Sequence, residues 1–536
     1  MFQTGTSPSS GSYRELLTRL VACATSQHVS AAVLNAAGTG YTVGDVLTIT
    51  HAGAYQPCLI EVLTLGGGGA IATFAIRSGG AFSNRVATVA VNAGGSGYPV
   101  SSTVFLEIQG GTQTERAKVS ATVNGSGVVT AVSLVETGGA YTSAPAGTGA
   151  TTAIVGPSTA TAGSGCTVNT TMTGLIGTTG AAAAGGTGSG ATFDLTLTAS
   201  GWAAVWNRRS FSTNGVNDEK EVILQGDAGT GTDPLIGFRT YTATSGINTR
   251  WGWCVVGFDS FNAGLTFATQ ANAGPNVDPT SNAGVCVLMF DNAQSYWFSV
   301  RPRRIAGVVK AVGASVTSYC SFYAGLLNPF GTATEVPYPL YLSGSTCSHN
   351  RPADAGGFFV TGLTEAFHDT STTPCVFRRA SDGAWTRVQN SLNGTAVGIN
   401  VLAPVGAPNV YTGAAAGDDI VASGRLTFSV IDSAGVSVAG GGAATQVLMA
   451  ALGGVDNLLL YPVVPLTHDM SGGTGETGPE QLLRGELDGV HWIPATKSDG
   501  SSVASEDTVT IGGARYRIFA NAHRSERYSY FALAES

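Results

Sequence analysis

The sequence predicts an all-β protein: an N-terminal arm and short helix, tandem Gly-rich β modules, then β-sandwich or barrel-like domains. Three observations carry that prediction. Glycine supplies 75 of 536 residues while only 11% are charged, short segments alternate apolar and polar residues, and a single stretch shows helical spacing. A hydrophobic content of 43% allows a large core and excludes disorder, and 20 prolines with no every-third glycine exclude collagen. The net charge of −8, with no Lys- or Arg-rich stretch, speaks against nucleic-acid binding and mildly against a membrane surface. No run of large apolar residues is long enough to span a bilayer, and the first residues lack the basic start of a secretory signal.

Four divisions are expected: 1–31 as arm and docking helix, 32–200 as a duplicated β-repeat domain, 201–400 as an aromatic sandwich with an insertion at about 343–393, and 401–536 as a C-terminal β domain. The arm is rich in Gly, Ser, Thr and Pro. Ser12 and Glu15 then have capping-box spacing, and Leu16, Leu17, Leu20 and Val21 recur at helical spacing. One helix ahead of several hundred β residues lacks an evident partner of its own kind, so its apolar face is expected to dock on another subunit. The competing reading is a plug for the end of its own domain.

The repeat is the most informative feature. Val33 to Tyr41 aligns with Ala90 to Tyr98 at an offset of 57, and Ile76 to Phe82 aligns with Val135 to Tyr141 at an offset of 59. Residues 33–88 and 90–147 are therefore expected to be two copies of one antiparallel unit. The turn residues are Gly38, Gly40 and Tyr41, then Gly80 and Phe82, matched by Gly95, Gly97 and Tyr98, then Gly139 and Tyr141. Glycine supplies the positive φ that side chains forbid, and the aromatic after it can cover the bare backbone. From Gly156 to Ser200 the pattern degenerates into loops and one alternating strand, Ala191 to Leu197, that is expected to return to the repeat domain.

Beyond Gly201 the segments are aromatic and β-like, and six of the seven Trp lie there after Trp202. Ile511-Gly512-Gly513-Ala514 reads as a hairpin. The eight cysteines are scattered, with no CxxC, and most are expected to be reduced and buried. Asp218-Glu219-Lys220-Glu221 reads as a solvated or salt-bridged strand edge.

No P-loop, zinc-helix or nucleophile-elbow motif occurs, and neither His368-Asp369 nor His468-Asp469 suits a catalytic dyad, because neighbours on a strand point to opposite faces. Asp418-Asp419 is a weak calcium candidate, better read as a turn. Trp251, Trp253, Trp297, Trp385 and Trp492 could stack on sugars, though Trp in such strands more often packs in the core. The expectation is a non-enzyme without catalytic residues, cofactor or metal.

The stretches NAAGTGYTVGDVLTI and NAGGSGYPVSSTVFLEI resemble the G-x-G-Y β repeats of tailed-bacteriophage virion structural proteins, and the segment from LRGELDGVHWIPA to the C-terminal TIGGARYRIFANAHRSERYSYFAL resembles the C-terminal domain of such proteins. The resemblance covers roughly 33–155 and 483–534. It implies a particle component assembled in the host cytoplasm, in a baseplate, tail tip or fibre attachment, with itself as trimer or hexameric ring and with other virion proteins as partners. The rival readings are a receptor-binding protein that recognises a host surface glycan, a head decoration protein and a polysaccharide-degrading spike. The last would need a pair of carboxylates in a groove, and the sequence identifies none.

Overall fold

The computed structural model describes residues 2–7, 11–113, 115–157, 162–174, 176–209, 220–227, 233–245, 248–274, 285–289, 291–312, 319–344, 503–520 and 530–535, with short segments within 364–402, 430–438 and 461–493. The chain is nearly all β, with a single α-helix among the described residues. It divides into two compact units. The first comprises Met1–Thr4, Arg14–Asp233 and Val300–Pro302, and the second Gly5–Tyr13, Pro234–Ser299 and Arg303–Ser536. The main break thus falls near residue 233, beyond the change of composition at Gly201.

The first strand, β1, spans Phe2–Thr6, and the helix α1 spans Ser12–Thr25. In the first unit follow β2 (Gln27–Thr39), β3 (Val46–Ile49), β4 (Ala54–Gln56), β5 (Cys58–Leu65), β6 (Ile71–Ser78) and β7 (Ala81–Phe82). Next come β8 (Val86–Ser96), β9 (Thr103–Ile108), β10 (Lys118–Val123), β11 (Val129–Glu136), β12 (Ala150–Gly156) and β13 (Ser164–Met172). The unit ends with β14 (Ala181–Ala182), β15 (Ser189–Ala199), β16 (Trp202–Arg209) and β17 (Lys220–Gly226).

These strands build two similar modules, one nested in the other. The second is continuous: its sheet runs β11-β10-β9-β12-β13-β8, and β8 lies against β11, so the sheet nearly closes on itself. The first repeats that order as β6-β5-β3, a bridge from Thr48 to Ala184, then β14-β15-β2. Its last two strands come from beyond the second module. The expected strand at 191–197 does return, as β15, and pairs with β2 from Ser189–Thr39 to Ala199–Gln27. Where the second module departs and rejoins, Arg85 N–H donates to Thr173 Oγ1 at 3.1 Å and Thr173 N–H to Arg85 O at 2.9 Å.

The duplication therefore extends to six strands per module, further than the expected spans of 33–88 and 90–147. Gly163 to Thr171 repeats as Gly188 to Thr196, and β13 and β15 carry bulges at the same steps, Thr167/Val168 and Thr192/Phe193. Each module has its own core, with Leu47, Ile49 and Ile60 in one and Val104, Leu106 and Val119 in the other. These are the inward positions of alternating strands, whose opposite faces carry partly exposed residues such as Thr48, Glu61, Glu107 and Ser120.

The arm and helix belong to this chain's own fold, contrary to the docking expectation. Phe2 and Gln3 are buried, and Thr4 N–H donates to Gln56 Oε1 at 2.9 Å. Leu16, Leu17, Leu20 and Val21 are 0–1% exposed in the single chain, so that face has nothing left to offer a partner. Burying three Leu and a Val is what holds a helix too short to persist alone in water.

In the second unit, β18 (Leu235–Ser245), β19 (Asn248–Phe258) and β20 (Val285–Met289) form one antiparallel layer. Another contains β21 (Gln294–Arg301), β22 (Arg304–Ala311) and β23 (Tyr319–Leu326), continued by Leu340–Ser343, Cys375–Arg378 and Trp385–Val388. The last two strands fall within the expected insertion. Trp253 and Phe238 of the first layer meet Phe298 and Phe322 of the second, with ring centroids 5.8–6.4 Å apart, so the layers pack as a sandwich. The Gly512-Gly513 hairpin forms as expected, with Ile511 paired to Ala514.

Nesting makes the turn glycines the weak points. Gly38 and Gly95 sit at φ +60° and +62°, and an added Cβ would lie 2.4 and 2.2 Å from Ser189 O and Ser164 O of the returning strands. Gly38→Ala or Gly95→Ala should each combine a positive-φ cost of about 1–2 kcal/mol with a backbone clash of about 1–3 kcal/mol. Gly68→Ala, at φ +68° but with nothing within 4 Å, should show the first cost alone. Thermal denaturation of the three variants checks the ranking; equal losses would mean that close approach by the returning strand is unimportant.

Candidate functional site

Two arrangements in the first unit draw polar side chains together. The first is the pair of turn sites. Gly40 and Gly97 share φ values of +77° and +78°, as the repeat requires. Tyr41 and Tyr98 are buried, and their hydroxyls accept from Ala191 N–H at 3.2 Å and Cys166 N–H at 3.4 Å, equivalent residues of β15 and β13. The tyrosines do more than cover their own turns. A Cβ on Gly188 would lie 2.6 Å from the Tyr41 ring, and one on Gly163 2.3 Å from that of Tyr98, so each ring also rests on a glycine of the returning strand.

The second turn of each module needs one correction of register. Gly80 has φ +69°, but its structural counterpart is Gly138 at +65°, not Gly139. Both face equivalent backbone, Gln56 O and Cys58 N in one module and Glu115 O and Ala117 N in the other. The extra residue of the second module therefore lies at Gly139-Ala140, after the strand pairing Val119 with Leu134 in the way Ile60 pairs with Ile76. Phe82 and Tyr141 both end buried over their glycines, and Tyr141 Oη also accepts from Ala117 N–H at 2.9 Å.

Outward polar residues repeat as well. Asn35 Oδ1 accepts from Thr192 Oγ1 at 3.1 Å, and the equivalent Asn92 donates to Thr167 Oγ1 at 3.0 Å. Gly180 N–H donates to Asp194 and Gly149 N–H to Asn169, at 2.8 and 3.1 Å. These bonds tie the returning strand to its neighbours, which is a structural role.

The second arrangement is a buried ion cluster, and sequence reasoning missed it. Lys118 and Glu136 face each other across the start of β10 and the end of β11, with Nζ 2.6 Å from Oε2. Arg209 and Lys220 face each other across β16 and β17. Arg209 Nη1 reaches Glu136 Oε1 at 2.9 Å, while Lys220 Nζ donates to Glu115 Oε1 at 2.7 Å, to Thr18 Oγ1 of α1 at 2.9 Å and to Glu136 Oε1 at 3.3 Å. The side chains of Lys220, Lys118, Glu136 and Glu115 are 0, 2, 2 and 6% exposed. Of the two readings expected for this strand edge, solvated or salt-bridged, Lys220 follows the second and is buried: its acidic neighbours in sequence say nothing about where the lysine points. Asp218 and Glu219 lie outside the described residues.

Burial opposes the charge on Glu136, but Lys118, Lys220 and Arg209 outweigh it and hold its pKa well below 4.5. Burial likewise opposes the charge on Lys118, and Glu136 and Glu115 override it, raising its pKa above 10.5. The cluster braces the helix, the second module and the β16–β17 hairpin within one unit. Five ionised groups in a dry setting each carry a desolvation cost, which only their mutual contacts offset.

The remaining candidates resolve more simply. Trp253 and Trp297 are buried in the second unit's core, and Trp253 Nε1 donates to Tyr13 O at 2.7 Å, so neither offers a face to a sugar. Trp251 is half-buried and lies 6.4 Å from the Tyr13 ring, and Trp385 donates to Asn272 O. Asp418-Asp419 and the side chains of Trp492, His368, Asp369, His468 and Asp469 lie outside the described residues. Cys23, Cys58, Cys166, Cys254 and Cys320 are free and buried, and burial pushes the Cys23 and Cys58 thiols up to about 12, which makes them inert. Among the described residues no group of three or more His, Cys, Asp or Glu is placed to hold a metal, and no helix is long and apolar enough to cross a membrane. No family model matches the chain, and no curated protein matches it either.

The cluster sets a pH window. Glu136, depressed in the fold, contributes stability that is complete above about pH 4.5 and is lost as pH falls through its folded value. Lys118, raised in the fold, contributes fully below pH 10.5 and loses its share as pH rises beyond that. Between those limits the first acid loss belongs to His28, whose pKa burial lowers from 6.5 to about 4, so that the unfolded chain binds the proton first. Glu136→Gln should cost about 3–5 kcal/mol in urea unfolding at neutral pH, since it leaves buried cations short of a partner. His28→Asn should instead flatten the stability profile between pH 6.5 and 4. A Glu136→Gln variant as stable as the parent would show the cluster to be incidental.

Proposed function

We propose that the chain is a structural component of a tailed-phage virion, in the tail at a baseplate, tail tip or fibre attachment, where it assembles with copies of itself and with other virion proteins. The G-x-G-Y repeats and the C-terminal segment carry the family resemblance. The observation that best supports an assembly role is the state of the charges on the two nested modules. Residues 27–200 hold only ten Asp, Glu, Lys and Arg side chains, and each has a partner within the unit.

Glu61 pairs with Arg77 and Glu107 with Arg116. Glu115, Lys118 and Glu136 belong to the buried cluster. Asp45 binds Thr42 and Thr187 through backbone and side chain alike, Arg85 donates to Ala52 O and Ala54 O, and Asp194 binds Asn35 and Gly180. What the modules present outward is mostly hydroxyl, amide, methyl and backbone, with the Glu61–Arg77 and Glu107–Arg116 pairs partly exposed but mutually neutralised. Such a surface can be covered by another protein without stripping water from free charges, the costliest part of forming an interface. It also offers no electrostatic handle to nucleic acid.

An interface of this kind has a testable signature. Light scattering on the purified chain should show an oligomer whose mass is unchanged between low salt and about 1 M salt, where charge contacts are screened within about 3 Å. A stable monomer at high concentration, or an oligomer that dissolves as salt rises, would contradict the reading.

A further inference from the structure

The buried cluster holds a lysine between two carboxylates, and this geometry supports a reaction as well as an ion pair. We propose that Lys220 and Glu115 become joined by an amide bond between Nζ and Cδ, formed by the chain itself, with Glu136 relaying a proton. Lys220 Nζ lies 2.7 Å from Glu115 Oε1 and 3.3 Å from Glu136 Oε1, and its side chain is 0% exposed. Thr18 Oγ1 accepts a further hydrogen bond from Nζ and fixes its direction.

The steps balance without a co-reactant. One ammonium proton passes from Lys220 to the Glu115 carboxylate, leaving a neutral amine beside a neutral acid. The nitrogen lone pair attacks Glu115 Cδ, giving a tetrahedral centre with a protonated nitrogen, one oxyanion and one hydroxyl. Lys118 Nζ, 3.9 Å from Glu115 Oε1, is the remaining cation beside this carboxyl group and offsets the negative charge that develops on it. Glu136 takes a proton from the nitrogen and returns it to the hydroxyl, which leaves as water while the carbonyl re-forms. One C–N bond has formed, one C–O bond has broken, and no oxidation has occurred.

Two physical terms favour this outcome here and not in water. The amine is held 2.7 Å from an oxygen of the carboxyl group that it would attack, so the entropy of bringing amine and acid together is already spent in folding. Condensation also removes one buried cation and one buried anion at once, relieving a desolvation cost that hydrated ions do not bear. Lys118 and Arg209 remain, both paired with Glu136. The product would cross-link residue 115 of the second module to residue 220 of the hairpin, inside a single unit.

The test is the intact mass of the purified full-length chain under denaturing conditions, followed by proteolysis. The expected mass is one water below that of the sequence, with a branched peptide linking the segments that contain Glu115 and Lys220. Lys220→Arg should keep its full sequence mass. Glu115→Gln should lose ammonia in place of water and converge on the same final mass as the parent. A parent chain at its full sequence mass, with Lys220 and Glu115 recovered in separate unlinked peptides, would overturn the proposal whether or not the variants fold.

Discussion

The first unit depends on one pairing, that of β15 with β2. The first module begins at Gln27, is interrupted after Phe82 by a complete second module, and is closed only when the chain returns at Ser189. Until β15 arrives, β2 lacks its long partner, the core around Leu47, Ile60 and Phe193 is open on one side, and the Tyr41 ring lacks Gly188 beneath it. The loop-closure entropy of a segment spanning an entire module must be met before these contacts form. The aromatic–glycine contacts and the Asn35–Thr192 bond are what make the returning strand fit in one register only.

The second module shows the same design without interruption. Tyr98 rests on Gly163 as Tyr41 rests on Gly188, Gly95 meets Ser164 O as Gly38 meets Ser189 O, and the bulges of the returning strands fall at the same steps. Agreement at this level, in φ, hydrogen bonds and bulges, is what two copies of one unit would retain where backbone passes close to backbone. The copies differ where closeness is not required: Phe82 replaces Tyr141, β14 has two residues where β12 has seven, and Asp45 links its turn to Thr187 while its counterpart Ser102 bonds Pro99 O.

Much of this was legible in the sequence, because glycine followed by a buried aromatic leaves a mark at fixed spacing. The all-β class, the helix near Tyr13–Ala24, the first four strands of each repeat and the Gly512-Gly513 hairpin all follow from local pattern. The last two strands were written equally plainly, Gly163-Ser164-Gly165 against Gly188-Ser189-Gly190. Their offset of 25 differs from the 57–59 of the earlier strands because one module is inserted in the other, and a search for tandem copies passes over it. Burial was the other gap. Nothing in Leu16, Leu17, Leu20 and Val21 tells which surface receives them, and Lys220 inside an acidic run gives no sign that its side chain turns inward to Glu115 and Glu136.

Native-state hydrogen exchange measures the dependence on β15 most directly. If closure by the returning strand holds the first module together, the amides of β2 and β15 paired between Leu34–Phe193 and Val29–Leu197 open together with one free energy, distinct from that of β8 and β13 in the inserted module. Amides of β15 that exchange freely while those of β2 to β6 stay protected would contradict it, because the first module would then stand without the strand said to close it.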